Sequence, residues 1–165
     1  MHRFNALILL VVVLIWGCVD PPDYPDAPVI KFEGLSKQIM KQGSENQDTM
    51  IVRFSFTDGD GDLGATSSPT DPVDPNVFLI DSRDGYEGNQ FQIPFIPEAG
   101  AGNGISGTID LKVYNSCCIF TDGTVPCGTS PTKTMDTLFY TLYIKDRAGH
   151  RSNDIQVGPI YLRCE

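Results

Sequence analysis

Three aspartates at alternate positions are the residues of this sequence best suited to chemistry. Asp58, Asp60 and Asp62 are separated only by Gly59 and Gly61, and they directly follow an apolar stretch. Glycine lets the backbone curl at little steric cost, so the three carboxylates can converge. Converged carboxylates repel each other unless a cation lies between them, and Ca²⁺ accepts roughly six to eight oxygen ligands in flexible geometry. The spacing therefore predicts a calcium site, with a structural role in stiffening the loop.

This run resembles the first half of an Asp-x-Asp-x-Asp calcium loop. It departs from the EF-hand pattern, because Leu63 stands at the position that needs glycine and Pro69 at the position that needs glutamate. The sequence therefore excludes an EF-hand, and the missing ligands must come from elsewhere in the fold. The alternative is a metal-free acidic turn, because aspartate and glycine are common turn formers.

Four cysteines in the second half of the chain predict two disulfides and an oxidising compartment. They are Cys117, Cys118, Cys127 and Cys164. Adjacent cysteines rarely bond to each other, so Cys117 and Cys118 are expected to take Cys127 and Cys164 as separate partners, in an order that the sequence leaves open. The alternative is a four-thiolate zinc site, which the absence of paired Cys-x-x-Cys knuckles disfavours.

Other catalytic chemistry has little support in the sequence. His150 is the only histidine after the first few residues, and it stands in a polar turn, so a Ser-His-Asp arrangement would depend on it alone. Paired carboxylates could hydrolyse a glycoside, but such sites need a cleft with aromatic platforms, and the only tryptophan is Trp16. No catalytic residue is therefore predicted, and we expect a protein that is not an enzyme.

Short apolar runs with two-residue alternation position these residues. They predict seven strands and no helix beyond one helical turn within residues 35–42. The predicted strands are Val29–Phe32, Met50–Phe56, Val77–Ile80, Phe91–Ile96, Ile105–Tyr114, Leu138–Lys145 and Ile155–Leu162. Seven short strands separated by Gly, Pro, Asp and Asn indicate an all-β fold, an immunoglobulin-like antiparallel β-sandwich over residues 29–165.

That topology supplies a further metal ligand. In an immunoglobulin-like sandwich, the loop that holds Asp58–Asp62 and the loop before the last strand lie at the same end. Asp146 begins the second loop, which also holds Asn153 and Asp154, and it is the expected distant ligand. Further aspartates make the region more acidic, namely Asp71, Asp74, Asp81 and Asp84. Between Asp58 and Asp84, Arg83 is the only basic residue that opposes them.

The N-terminal segment predicts export and lipid attachment. Residues 1–17 read as a signal peptide, with an apolar run from Ala6 to Trp16 that is too short to span a bilayer. Leu14-Ile15-Trp16-Gly17-Cys18 resembles the lipobox of bacterial lipoproteins, which implies cleavage before Cys18 and its lipidation. Residues 18–28, rich in proline and aspartate, would form a stiff tether. An uncleaved anchor or an ordinary secretory signal are the alternatives.

The net charge of −9 argues against one class of partner. An acidic surface repels phosphate backbones, so nucleic acid is an unsuitable ligand. Apart from the first segment, no stretch is long and apolar enough to cross a membrane.

Two resemblances extend this interpretation. The run from Tyr143 to Asn153 is similar to the penultimate strand and turn of bacterial immunoglobulin-like and fibronectin-like modules, which often read V-x-D-x-A-G-N-x-S. The chain also resembles small lipoproteins of Bacteroidota-type bacteria in its lipobox, acidic tether, Phe54–Gly64 stretch and C-terminal cysteines. This resemblance implies an outer-membrane, lipid-anchored location and says little about activity.

Together these observations predict a non-catalytic binding or accessory module. Its expected partner is an outer-membrane protein complex or a glycan, and such a module should expose apolar or aromatic side chains on one sheet or loop end. A purely structural envelope lipoprotein and a carboxylate-based hydrolase are the alternatives.

Overall fold

The structure is a computed structural model that describes residues 23–66, 74–97 and 104–165. Over these ranges it contains eight strands and no helix. None of the described segments is a helix that could cross a membrane. The strands are β1 (Val29–Leu35), β2 (Ile39–Lys41), β3 (Thr49–Asp58), β4 (Val77–Asp81), β5 (Asn89–Phe91), β6 (Ile105–Tyr114), β7 (Met135–Ile144) and β8 (Ile155–Arg163).

The strands form two sheets packed as a β-sandwich. The first has three strands in the order β1-β3-β6, and the second has five in the order β2-β8-β7-β4-β5. All neighbours are antiparallel except β2 and β8, which run parallel. The predicted all-β class and two-sheet arrangement are thereby confirmed.

Alternation along the strands places the core between the sheets. In β3 the buried side chains are Met50, Val52, Phe54 and Phe56, and they share one face of the strand. In β7 the buried side chains at alternate positions are Leu138, Tyr140, Leu142 and Ile144. The buried face of β3 in one sheet and that of β7 in the other therefore belong to a single apolar cluster.

The predicted helical turn within residues 35–42 is wrong. Leu35 ends β1, and Ile39–Lys41 forms β2. Met40 is buried there, and Tyr161 of β8 donates its N–H to the carbonyl of Gln38 at 2.8 Å. This short strand forms because it pairs with a strand more than a hundred residues away, and the local sequence pattern does not indicate that pairing.

The fourth predicted strand, Phe91–Ile96, is wrong except at Phe91, because β5 covers Asn89–Phe91 and ends there. Pro94 has no N–H to donate to a sheet partner. The chain is held there by other bonds: Ile93 donates its N–H to Asn76 Oδ1 at 2.7 Å and accepts from the N–H of Ala65 at 2.9 Å.

The sandwich has two distinct ends. At the first, which we call the aspartate end, β1 begins at Val29 while β3 and β7 end at Asp58 and Ile144. At the opposite end, which we call the disulfide end, a strandless segment of residues 115–134 joins β6 to β7 and contains three of the four bridged cysteines. The N-terminal segment therefore enters the domain at the aspartate end.

Candidate metal site

Four carboxylates converge at the aspartate end. Asp58 is the last residue of β3, Asp60 and Asp62 follow in the next loop, and Asp146 lies two residues beyond β7. One carboxylate oxygen from each of the four lies within 4.8 Å of the others. A Ca²⁺ ion with oxygens at about 2.3–2.6 Å holds opposite ligands at comparable separations. The cluster is therefore compact enough for its members to share one cation.

Backbone amides hold three of these carboxylates in place. Asp58 Oδ2 accepts from the N–H of Leu63 at 3.0 Å, and Asp62 Oδ2 accepts from the N–H of Ala148 at 2.9 Å. Asp146 Oδ1 accepts from the N–H of His150 at 2.7 Å. The bond from Ala148 to Asp62 links the loop after β3 to the turn after β7, so the two loops are fixed against each other.

Two oxygens of the cluster are buried without a hydrogen-bond partner among the described residues. They are Oδ1 of Asp58 and Oδ1 of Asp62. Asp58 is 0% exposed, so water cannot readily solvate its carboxylate. Leaving a buried acceptor unsatisfied costs about 1–3 kcal/mol, and more for a charged group. A cation bound between these oxygens would remove that cost.

The electrostatics of the cluster point the same way. Burial, together with the charges of Asp60, Asp62 and Asp146, raises the pKa of Asp58 to about 6 against the bond from Leu63. Burial and the charges of Asp146 and Asp60 also raise the pKa of Asp62. Without a cation, the cluster therefore favours protonation of Asp58 and Asp62.

Glycine allows the loop its shape. Gly61 has φ 73° and Gly64 has φ 99°, both in the left-handed region that other residues rarely adopt. A Cβ at Gly64 would also lie 2.4 Å from the carbonyl oxygen of Pro94. These positions let the chain turn back after Asp60 and bring Asp62 toward Asp146.

His150 has a role that the sequence did not reveal. It is exposed, as expected, but its Nδ1 lies 2.9 Å from Asp146 Oδ2. The bond and the negative charge of Asp146 raise the pKa of His150. The only clue in the sequence is the spacing of four residues across a glycine turn. His150 positions the carboxylate of Asp146 from outside the cluster.

The other predicted acidic residues are dispersed. Asp74 and Asp154 are exposed, while Asp81 and Asp84 lie near the disulfide end, far along β4 from the cluster. Asp71 and Cys18 lie outside the described residues. The aspartates between residues 58 and 84 thus do not form one acidic surface.

The cysteines form two disulfides in the described structure. Cys117 pairs with Cys127, and Cys118 pairs with Cys164. The second bond fastens the end of β8 to the segment after β6, across a sequence separation of 46 residues. This pairing settles the order that the sequence left open, and the four thiols are not available as zinc ligands.

A buried ion network at the disulfide end was not predicted. The Arg83 side chain, only 10% exposed, contacts Asp81 at 2.6 Å and Asp136 at 2.9 Å. It also donates to the carbonyl oxygen of Cys117 at 3.0 Å. The one signal in the sequence is that Arg83 stands alone among aspartates. The network connects β4, β7 and the disulfide-bonded segment.

Exposed apolar side chains concentrate at the disulfide end. Of eight large exposed hydrophobic residues in the described structure, six lie there, namely Ile39, Tyr86, Tyr114, Ile119, Val125 and Met135. Tyr86 and Val125 are 71% and 69% exposed. Tyr86 and Ile119 line a depression of about 630 Å³ beside Cys117. Val29 and Phe95 are the two at the aspartate end.

Comparison of this chain with protein-family models, with curated proteins and with solved structures gave no match.

Proposed function

We propose that this protein is a calcium-stabilised, lipid-anchored binding module of the bacterial cell envelope, without catalytic activity. The observation that carries the proposal is the convergence of four aspartates around buried oxygens of Asp58 and Asp62 that have no hydrogen-bond partner in the part of the chain that the structure describes. An acidic turn with no metal has no need to bury a carboxylate in this way, because turn-forming aspartates are ordinarily solvated.

Calcium fits the donor set better than other divalent cations. All four side chains supply oxygen, whereas zinc favours nitrogen and sulfur ligands. Mg²⁺ needs near-ideal octahedral geometry, and an irregular loop satisfies the looser demands of Ca²⁺ more easily. Backbone carbonyls and water would complete the coordination.

The role that we propose for the ion is structural. Asp58 belongs to the three-stranded sheet, and Asp146 follows β7 of the five-stranded sheet. Both side chains are buried, so an ion held between them would be fixed to the interior of the fold. A cation here would cross-link the two sheets at the aspartate end.

We further propose that the sandwich is immunoglobulin-like. Strands β1, β3 and β6 correspond in order to A, B and E of that fold, and β8, β7 and β4 correspond to G, F and C. The short β5 then extends the second sheet, as C′ does in variable-type domains. The proposed calcium ligands would lie in the B–C and F–G loops.

The proposed anchor and the exposed apolar residues belong to opposite ends. Lipid on Cys18 would hold the aspartate end toward the membrane, since the N-terminal segment enters there, and we propose the outer membrane as the site of anchoring. The disulfide end would then face away and present its apolar side chains to a partner. Four of the six are apolar and not aromatic, which favours a protein partner over a glycan.

Calorimetric unfolding with calcium or with a chelator tests the metal proposal. We expect saturating Ca²⁺ to raise the unfolding midpoint by about 5–10 °C, the shift for a ligand at about a hundred times its Kd. The unfolding midpoint of Asp58→Asn should differ from that of the wild type in opposite directions in the two media. The variant should melt above the wild type in chelator, because one buried charge is gone, and below it in calcium.

Asp154→Asn is the matched control, because Asp154 is an exposed aspartate at the same end that pairs with Arg151 outside the cluster. It should keep the full calcium shift. If the wild-type midpoint is the same in calcium and in chelator, the metal-free acidic turn is the correct interpretation.

A further inference from the structure

The N-terminal segment packs against the back of the aspartate loop. The N–H of Gly59, between two proposed ligands, donates to the carbonyl oxygen of Pro25 at 2.8 Å. A Cβ at Gly59 would lie 2.3 Å from the carbonyl oxygen of Tyr24 and 2.7 Å from the carbonyl carbon of Pro25. Only glycine at position 59 allows the segment to lie this close.

The Tyr24 ring adds a second contact to the same loop. A Cβ at Gly104 would lie 2.8 Å from Tyr24 Cδ2 and 2.7 Å from the carbonyl oxygen of Asp58. The ring therefore lies against Gly104, beside the backbone from which the Asp58 carboxylate projects. Tyr24 and Pro25 together lie against the backbone of Asp58 and Gly59.

From these contacts we infer that calcium binding and docking of the Tyr24–Pro25 segment are coupled. The inference depends on the proposed calcium site. An ion that fixes Asp58 and Asp60 also fixes the Gly59 amide that Pro25 needs. Without the ion, repulsion among the carboxylates loosens that amide. By thermodynamic reciprocity, the docked segment raises the calcium affinity by the same factor.

The coupling gives calcium control over how far the domain stands from its anchor. With Tyr24 docked, the fixed part of the chain begins six positions after Cys18, a stretch that reaches at most about 20 Å. With the segment released, the first fixed residue is Pro28, which is buried just before β1; it is ten residues from Cys18, and the reach grows to about 33 Å. Calcium would therefore convert a long tether to a short one.

Calorimetric titration of the full-length purified protein with CaCl₂ tests the coupling. Tyr24→Ala and Gly59→Ala change no proposed ligand side chain, and we expect each to weaken calcium binding about 5- to 20-fold. Tyr24→Phe retains the ring and should bind like the wild type. Tyr86→Ala, at the disulfide end, is the control for loss of a tyrosine and should also leave the affinity unchanged.

A direct readout of docking completes the test. In protein labelled with 3-fluorotyrosine, the fluorine resonance assigned to Tyr24 by its loss in Tyr24→Phe should shift when CaCl₂ is added. Circular dichroism in saturating calcium shows whether each variant is folded. Should Gly59→Ala not fold, the Tyr24 variants and the fluorine shift decide the matter.

The outcomes separate the two proposals. If the wild type does not bind calcium, the metal proposal fails and this inference fails with it. If the wild type binds calcium while Tyr24→Ala has the same affinity and the Tyr24 resonance does not move, the coupling is refuted and the calcium site stands.

Discussion

Arg83 holds two carboxylates at the disulfide end, and its own charge is almost hidden from solvent. Burial would raise the pKa of Asp136, but the N–H of Ile119, Lys133 and Arg83 together lower it to about 2. Replacing one partner of such a pair leaves the remaining charge poorly balanced. The contribution of this network to the free energy of unfolding therefore depends on the ionisation of Asp136.

Asp136→Asn should destabilise the protein in a pH-dependent way. The folded pKa of Asp136 lies below its unfolded value, so the ionised carboxylate stabilises the fold above about pH 4, and this contribution disappears as the pH falls toward 2. We expect the variant to lose about 1–3 kcal/mol at pH 6, because Asp81 still pairs with Arg83. The measurement is urea unfolding of both proteins from pH 6 to pH 3.

Asp84→Asn, an exposed aspartate close by, should show no such difference. A deficit for Asp136→Asn that stayed constant down to pH 3 would contradict the role given to ionisation.

Single residues differ in how far the sequence reveals their role. The alternation of Asp58, Asp60 and Asp62 with glycine is a pattern that can be recognised from the sequence alone. The bond of His150 to Asp146 and the network of Arg83 depend on which loops meet in three dimensions. No local pattern encodes those meetings, so these residues could be identified only from the fold.

At the scale of elements, the long strands and the five-residue β4 were predictable, and the three-residue β2 and β5 were not. The alternation in Ile105–Tyr114 predicted β6 to the residue, because ten positions give a clear period. β2 has three residues, and only its parallel pairing with β8 makes it a strand. The prediction of a strand at Phe91–Ile96 was wrong because the segment is apolar enough for a strand, but Pro94 has no N–H to donate to a neighbouring strand.

The two disulfides should contribute unequally to stability. Loop-closure entropy assigns about 4 kcal/mol to the Cys118–Cys164 bond, with its separation of 46 residues, and about 3 kcal/mol to Cys117–Cys127, with 10. Cys118 and Cys164 are also buried, so their replacement would leave space in the core.

We therefore expect Cys118→Ala/Cys164→Ala to lose more free energy of unfolding than Cys117→Ala/Cys127→Ala. Chemical denaturation under oxidising conditions measures both. Equal losses, or a larger loss for the half-buried pair Cys117–Cys127, would show that the long loop is not the dominant constraint.

At the scale of the whole molecule, the proposed anchor is a single covalent event. Cells supplied with labelled palmitate should incorporate the label into the wild-type protein and not into Cys18→Ser, which should also leave the membrane fraction. Cys117→Ser/Cys127→Ser should remain labelled, because only Cys18 is the proposed lipid acceptor. Tight envelope association of unlabelled Cys18→Ser would exclude lipid anchoring.

The proposed partner surface can be tested by its position. A photo-crosslinking amino acid at Tyr86 or Val125 should give a discrete cross-linked product in intact envelopes. The same group at Phe95, an exposed aromatic residue at the aspartate end, should not. Equal products from both ends, or none from either, would favour the purely structural alternative.

The side chain of Asn153 affects how neighbouring copies of the protein can pair through their edge strands. Its Oδ1 accepts from the N–H of Ile30 at 2.8 Å and its Nδ2 donates to the carbonyl of Ile30 at 2.9 Å, as a neighbouring strand would do. β1 is the outermost strand of its sheet, and free edges of this kind invite pairing between molecules. One amide thus occupies the backbone groups of Ile30 that a strand from a neighbouring copy would otherwise pair with at this edge.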